Sequence, residues 1–371
     1  MALSMYSIGN KLYSGRVSLK IIQLRKIWFA VAAIAVIVSI ASFAVKSPNL
    51  GIEFRGGSQF TISGTATQNQ QLAYDVIAKE GNDKAPRVSN VGTKGMRVQT
   101  VQLDADQTQA VKEALAEAYS VPVNDVTSTF VGPSWGADIM SKAIRAMIVF
   151  MLAVSAVLII YFRSWTIAVG ALGALLHDFV VTLGVYWILG LEITPATIIG
   201  ILTIMGYSLY DTVVVFDKVR ENTAQLEKQL RYTYEESANL AINQTLIRSL
   251  NTSITGLLPV MAVLFIGVGI FGADTLRDLA LVMFVGMVLS TISSIFIAAP
   301  LAVTLGMRRG DIKAHTQHVK DVREQISKDM DGATLSKGDS DMLNYVTEGE
   351  REAGHHMGVA AQPRRKNRSK R

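Results

Sequence analysis

Six apolar runs recur along the chain, at 27–45, 143–162, 166–189, 195–216, 249–270 and 279–305. A helix needs about 20 such residues to cross the hydrocarbon core of a bilayer, so each run predicts a transmembrane helix. Between the first two runs, over 46–141, the pattern changes. Gln59-Phe60-Thr61-Ile62 alternates like a strand, 69–79 has helical periodicity, and 87–91 and 96–103 read as two further strands. A second helix over 108–119 and a last strand over 123–131 complete the order β-α-β-β-α-β. That order is the ferredoxin-like plan, an α+β domain with an antiparallel sheet and two helices on one face. The pattern therefore predicts a multi-pass α-helical membrane protein of six transmembrane helices carrying one small α+β domain.

Composition supports that reading and removes several chemistries. Half of the 371 residues are apolar and 18% are charged, and the mean hydropathy is +0.30, an excess beyond ordinary soluble folding. There is no cysteine, so disulfides, thiolate zinc sites, cysteine nucleophiles and Cys-ligated iron–sulfur clusters are excluded. The five His residues include His315-x-x-His318 and His355-His356 in a polar tail, neither of which completes a metal-ligand set. No cofactor is expected, and no Gly-x-x-x-x-Gly-Lys-Ser/Thr loop for ATP is present.

Charge placement sets the topology. Segment 1–26 holds Lys11, Arg16, Lys20, Arg25 and Lys26 and no acid, which keeps the N-terminus in the cytoplasm, and six spans return the C-terminus to the same side. The 46–141 domain and the loop around Glu192 then face outside. Arg163 and a cytoplasmic loop at about 217–247, with Lys218, Arg220, Lys228 and Arg231, face inside. A cleaved signal sequence competes for the first run, because Ser42 and Ala44 lie near its end, but the length of the run favours an uncleaved anchor. The tail at 307–371 is rich in charge, Gly and Ser and is expected to be flexible. Its basic end, from Arg364 to Arg371, suits anionic lipid or RNA, or serves only to fix topology.

Ionisable residues inside a span cost about 2.5–3.5 kcal/mol on insertion scales, so each is a candidate for function. In the fourth span Thr197, Gly200, Thr203, Tyr207 and Asp211 recur at steps of three or four, with Thr194 as cap and Pro195 in the first turn. Arg248, Asn251, Thr252, Thr255 and Pro259 make a matching stripe in the fifth. The two helices run in opposite directions, and counting residues places Asp211 and Arg248 toward the same cytoplasmic side. Burial raises a carboxylate's pKa and a guanidinium lowers it, so a balanced pair can load and release a proton; a permanent pair that glues two helices is the competing reading. His177-Asp178, mid-way along the third span, either extends the relay or hydrogen-bonds a neighbouring helix. Asp217, Lys218, Arg220 and Glu221 read as an interfacial cluster or a partner contact. Gly200, Gly206, Gly256 and Gly286 allow close helix packing, and Pro259 and Pro300 kinks.

Several motifs converge on one family. Gly51-Ile52-Glu53-Phe54-Arg55-Gly56-Gly57, Val131-Gly132-Pro133-Ser134-Trp135-Gly136, His177-Asp178, the run from Tyr210-Asp211 through Asp217, Arg220, Glu221 and Asn222, and Asn243-Gln244-Thr245-Leu246-Ile247-Arg248 follow one another in order. Over roughly 50–309 the chain resembles the SecF branch of the SecD/SecF family, with Glu53 where that family usually has Asp. The resemblance implies an RND-type (resistance-nodulation-division) membrane fold with the α+β domain extracytoplasmic. It implies a place in the bacterial cytoplasmic membrane, a complex with SecD, and work beside the SecYEG channel and the SecA motor on a translocating preprotein. It also implies that Asp211 and Arg248 take part in proton-driven movement that promotes late, ATP-independent export, with a second relay carboxylate in SecD.

Two other functions compete with this one. An intramembrane aspartyl protease needs a second catalytic Asp on a facing helix, usually in Gly-x-Gly-Asp, and Gly267-x-Gly269 is not followed by Asp. An RND-type small-molecule exporter would carry larger extracytoplasmic pockets and a doubled set of spans. One charge crossing 100 mV supplies about 2.3 kcal/mol, enough to tilt a two-state element and too little to unfold a domain, so the expectation is rectified sliding of the emerging chain.

Overall fold

The structure is a computed structural model that describes residues 5–332 other than 46, 82, 84, 85, 93, 225 and 271–275. A short helix α1 (Met5–Tyr13) leads to α2 (Arg25–Val45), and a one-turn α3 (Ile52–Arg55) enters the α+β domain. The domain runs β1 (Gly57–Ser63), α4 (Gln70–Glu80), β2 (Arg87–Val91), β3 (Gly95–Thr100), α5 (Ala105–Ala118) and β4 (Val126–Val131). Its strand order is β2-β3-β1-β4, every neighbouring pair antiparallel, which is the ferredoxin-like arrangement expected from the sequence. Asn69 caps α4, and Asp104 with Gln107 forms a capping box on α5. Phe60, Ile62, Met96 and Val98 from the sheet meet Ile77, Val111 and Leu115 from the helices in a closed core.

The remaining long helices form a bundle: α6 (Pro133–Phe162), α7 (Trp165–Leu189), α8 (Pro195–Thr223), α9 (Tyr234–Ala262), α10 (Arg277–Ser293) and α11 (Ala299–Gly306). A π-helical turn, Val263–Val268, extends α9, and another, Ser294–Ala298, joins α10 to α11 into one rod. Pro300 supplies the physical cause of the second turn. It has no N–H to offer the carbonyl four residues back, and the widened turn accommodates the missing bond. With α2, six helices among the described residues are long and apolar enough to cross a membrane.

Helices outrun the apolar stretches in three places. The second rod begins at Pro133, ten residues before its apolar run, because Gly132-Pro133 is a good helix start. The expected loop at 217–247 is mostly helix. α8 continues through Asp217, Arg220, Glu221 and Asn222 to Thr223, α9 starts at Tyr234 behind a Thr233–Glu236 capping box, and only 224–233 connects them. Hydropathy ends where charges begin, but charged residues are good helix formers. The expectation of a flexible tail from 307 also fails at its start. Helix α12 (Gly310–Gly332) buries Ile312, His315 and Val319 against the bundle end, and Arg323 bonds Glu236 at 2.8 Å and the carbonyl of Arg231 at 2.7 Å. His355, His356 and the basic end at 364–371 lie outside the described residues.

The domain is latched to the bundle by polar contacts. Leu50 pairs with Ile193 in a parallel bridge, Gly51 donates to Ile193 at 2.9 Å, and Ile193 donates to Asn49 at 2.8 Å. Arg97 on β3 meets Glu192 at 3.0 Å, and Gln99 donates to the same carboxylate. The two glycine motifs meet here. Gly56 and Gly57 have φ of +78° and +135°, and a Cβ on Gly56 would lie 2.8 Å from Pro133, so the domain can return to the membrane rod only through glycine.

At the opposite end, the N-terminal segment is strapped across α9. Asn243 accepts from the backbone N–H of Leu19 at 2.8 Å, Asn239 accepts from that of Ile22 at 3.1 Å, and both donate back to the Leu19 carbonyl at 3.0 Å. Arg25 adds an ion pair to Glu235 at 2.7 Å.

Candidate functional site

Asp211 is buried on the bundle-facing side of α8. That side is made by Gly200, Ile201, Ile204, Ser208, Asp211, Thr212 and Val215, a spacing that returns to one helix face. The polar stripe expected from the sequence divides at its edge. Thr197, Gly200 and Asp211 turn inward, whereas Thr203 is exposed and returns its hydroxyl to the Ile199 carbonyl at 2.8 Å. Tyr207 and Tyr210 are more than half exposed.

Beside Asp211 a small cleft of about 40 Å³ opens between α8, α9 and α10. Tyr207, Tyr210, Thr252, Ser253, Ser290 and Thr291 border it with Gly256 and Met287, the hydroxyls of Thr252 and Thr291 turning back to the Arg248 and Met287 carbonyls. A cleft of that size has room for a single water beside the carboxyl. On its inner side Asp211 Oδ2 accepts a 2.7 Å hydrogen bond from Ser294.

Arg248 does not reach this carboxylate. No hydrogen bond or ion pair joins the two, and the Arg248 side chain is exposed on α9. It sits one turn from Thr252, whose hydroxyl donates to the Arg248 carbonyl at 2.9 Å. The arginine lies on the face of α9 that also exposes Asn251, Thr252 and Thr255, one turn from a residue that borders the cleft.

A second buried acid lies on the facing helix. Asp178 on α7 accepts at Oδ2 from Ser208 at 3.0 Å and from Ser293 at 2.7 Å, and its Oδ1 lies 3.2 Å from His177 Nδ1. No hydrogen bond links Asp178 to Asp211, since each carboxyl is held by a different serine. This is unlike a protease dyad, in which two carboxylates share a proton.

The other sequence candidates sit at the helix ends. Gly51, Gly56, Gly57, Gly132 and Pro133 build the domain junction described above. Asn222 donates to Gln244 at 3.0 Å, tying the end of α8 to α9, and Lys218 pairs with Glu221 at 2.8 Å. Asp217 is exposed, and Arg220 borders a cavity of about 380 Å³ with Ser164, Thr166, Arg309 and His315. His315 Nε2 donates to the Gln229 carbonyl at 2.8 Å. No group of three or more His, Asp or Glu is spaced to hold a metal among the described residues.

Ser208, Ser293 and Ser294 escaped the sequence reading, although Ser290-Thr291-Ile292-Ser293-Ser294 is a hydroxyl-rich run within an otherwise apolar span. Hydroxyls cost little in a helix and close on their own backbone, so they do not stand out as a charge does.

Two family descriptions match the chain: "Protein export membrane protein SecD/SecF, C-terminal" over residues 110–308 and the "SecD/SecF GG Motif" over residues 41–67. The protein translocase subunit SecF of Streptomyces coelicolor is 41% identical over 323 residues, covering 86% of this chain and 85% of that one. The chain belongs to the SecF family of protein translocase subunits. The SecF of Mycobacterium tuberculosis is 39% identical over 85% of this chain and 74% of its own. The crystal structure of SecDF from Thermus thermophilus, described as a translocon-associated membrane protein, superposes with a TM-score of 0.70 at 29% identity. That match covers 79% of this chain and 39% of the longer SecDF chain, so this SecF-family chain spans about two fifths of it. A multi-pass membrane protein with six long apolar helices and a small antiparallel sheet is what the SecF family and this fold have in common.

Proposed function

We propose that this chain is the proton-handling half of a SecD–SecF complex, which works beside the SecYEG channel and the SecA motor on late, ATP-independent stages of preprotein export. Its place is the bacterial cytoplasmic membrane, with both termini cytoplasmic and the α+β domain outside. The charge asymmetry supports this orientation: Lys11, Arg16, Lys20, Arg25 and Lys26 lie at one end of the bundle, together with α12, and the domain junction lies at the other.

One observation carries the reading: Asp211 is buried in the bundle yet borders a small cleft between α8, α9 and α10. The cleft has room for one water, through which the carboxyl would exchange a proton while its inner oxygen stays bonded to Ser294. Arg248 lies one turn of α9 from Thr252 at the cleft, and in this reading an ionised Asp211 draws the guanidinium in and a protonated one releases it. The polar face of α9 with Tyr207 and Tyr210 is the surface on which the SecD partner would close, because hydroxyls and a guanidinium exposed at membrane depth require cover.

Coupling to the domain runs through the latch at Arg97, Glu192 and Leu50–Ile193, since Glu192 and Ile193 belong to the connection between α7 and α8. Movement of α8 is thereby passed to β3. The emerging preprotein is then held or released by a surface that shifts with the spans. Substitution Asp211→Asn keeps the shape and removes the titrating proton. In vesicles with the complex assembled, it is expected to abolish the response of late export to a proton gradient while ATP-driven initiation continues. Export that keeps its full gradient dependence in Asp211→Asn would overturn the reading.

A further inference from the structure

We propose that Ser293 and Ser294 make Asp178 and Asp211 one coupled unit, in which a change at either carboxyl is felt by the other through the π-helical turn that begins at these serines. The proposal rests on the reading of Asp211 as the proton carrier and adds the third span to it.

Two consecutive residues of the last rod serve two acids on two different helices. Ser293 gives its hydroxyl to Asp178 at 2.7 Å and Ser294 gives its own to Asp211, also at 2.7 Å. Both serines are fully buried. An ionised carboxylate only accepts hydrogen bonds, whereas a carboxylic acid donates one. When Asp211 takes up a proton on Oδ2, the Ser294 hydroxyl must turn from donor to acceptor or part from it. Ser294 opens the π turn Ser294–Ala298, and Ser293 is its neighbour at the end of α10. A rotation or stretch of the turn that relieves one bond displaces the other. Such turns already depart from the regular helix ladder, so their conformation is easier to change than that of the rods they join. Ser208 closes the circuit on the other side, because it lies three residues before Asp211 on α8 and donates to Asp178.

The charges around Asp178 make this coupling consequential. On α7 its neighbour is His177, and α8 offers Asp211 and, further along, the exposed Asp217 and Arg220 and the Lys218–Glu221 pair. On α9 Arg248 is exposed, while α10 carries Arg277 and Asp278 at its far end. α6 has Asp138, Lys142 and Arg145 exposed in its first half, and neither residues 27–45 of α2 nor α11 has an ionisable group. The polar groups that hold Asp178 are therefore His177 and the hydroxyls of Ser208 and Ser293. The two acids thus respond to each other without a direct bond.

The test uses vesicles with the complete translocation complex, measuring gradient-driven late export against pH for the wild type, Asp211→Asn, Ser293→Ala, Asp178→Asn and the Ser293→Ala/Asp178→Asn double variant. Ser293→Ala touches neither Asp211 nor the cleft. It is expected to move the pH midpoint of export by about half a unit, and Asp178→Asn to move it similarly, with no further movement in the double variant. Ser293→Thr, which keeps the donor, is expected to restore the wild-type profile. If Ser293→Ala and Asp178→Asn keep the wild-type profile while Asp211→Asn has lost gradient dependence, the coupling is overturned and the role of Asp211 stands. If Asp211→Asn keeps gradient dependence, the role of Asp211 is overturned and the coupling with it. Where Asp178→Asn does not assemble, Ser293→Ala and Ser293→Thr alone decide, since they leave every charge in place.

Discussion

Glu53 shows how much a single side chain owes to distant parts of the chain. Burial at the domain junction raises its carboxyl above the ordinary value of 4.5, and the charge of Glu192 pushes the same way against the pull of Arg97. One of its oxygens is buried without a hydrogen-bond partner. The folded carboxyl therefore holds its proton more tightly than the unfolded one, so ionisation opposes folding at pH above 4.5 and not below it. Glu53→Gln is expected to raise the thermal unfolding temperature of the purified chain in detergent by about 2 °C or more at pH 7–8. The gain should close as the pH falls below the ordinary value, and a gain that persists at pH 3 would count against burial of the charge as its cause. In the sequence Glu53 was visible only as a departure from a motif, because Arg97 and Glu192 come to it from a strand and a connection far along the chain. Asp211 and Asp178 were visible at once, since an acid in an apolar run has few bland explanations. Their serine partners were not.

At the scale of elements, apolar runs revealed the spans and alternation revealed the sheet, including its strand order through the β-α-β-β-α-β pattern. Ends were less legible. α8, α9 and α12 extend into charged sequence, where helix propensity and capping boxes decide and hydropathy is silent. Close packing between rods was also hidden. Gly184 on α7 lies against α2, where an added Cβ would come within 2.1 Å of Ser39 Oγ and 2.9 Å of its Cα. Backbone cannot yield as a side-chain tip can, so Gly184→Ala is expected to cost about 1–3 kcal/mol, or to part α2 from α7. Unfolding in a denaturing detergent series measures it, and Gly206→Ala, where nothing lies within 4 Å of an added Cβ, is the matched control. Equal loss in both would show that helix glycine as such, and not the contact, matters.

Across the whole molecule, the two ends of the bundle are fastened differently. The domain end relies on glycine turns, one bridge and the Arg97–Glu192 pair, an arrangement suited to movement. The other end is bound by the N-terminal strap and by α12. Arg323→Ala removes both the pair with Glu236 and the bond to the Arg231 carbonyl. Because these side chains are about one-third exposed, the cost is on the order of 1 kcal/mol, too small to unfold the chain. It is expected to speed protease cleavage within 310–332 severalfold while the spans stay intact, as read by fragment mass; unchanged cleavage would show that Ile312, His315 and Val319 hold α12 without it. The sequence offered no sign of this cap, because tail composition averages over a helix with only a narrow buried stripe.

The strap across α9 also constrains how the protein is made. Leu19 and Ile22 are grasped by side chains 224 and 217 residues further along. At a synthesis rate of roughly 5–20 residues per second, the amino-terminal segment waits on the order of 10 to 45 s before its anchors leave the ribosome. Throughout that interval it is open to cellular quality control, and its docking reports that the fifth rod has been delivered.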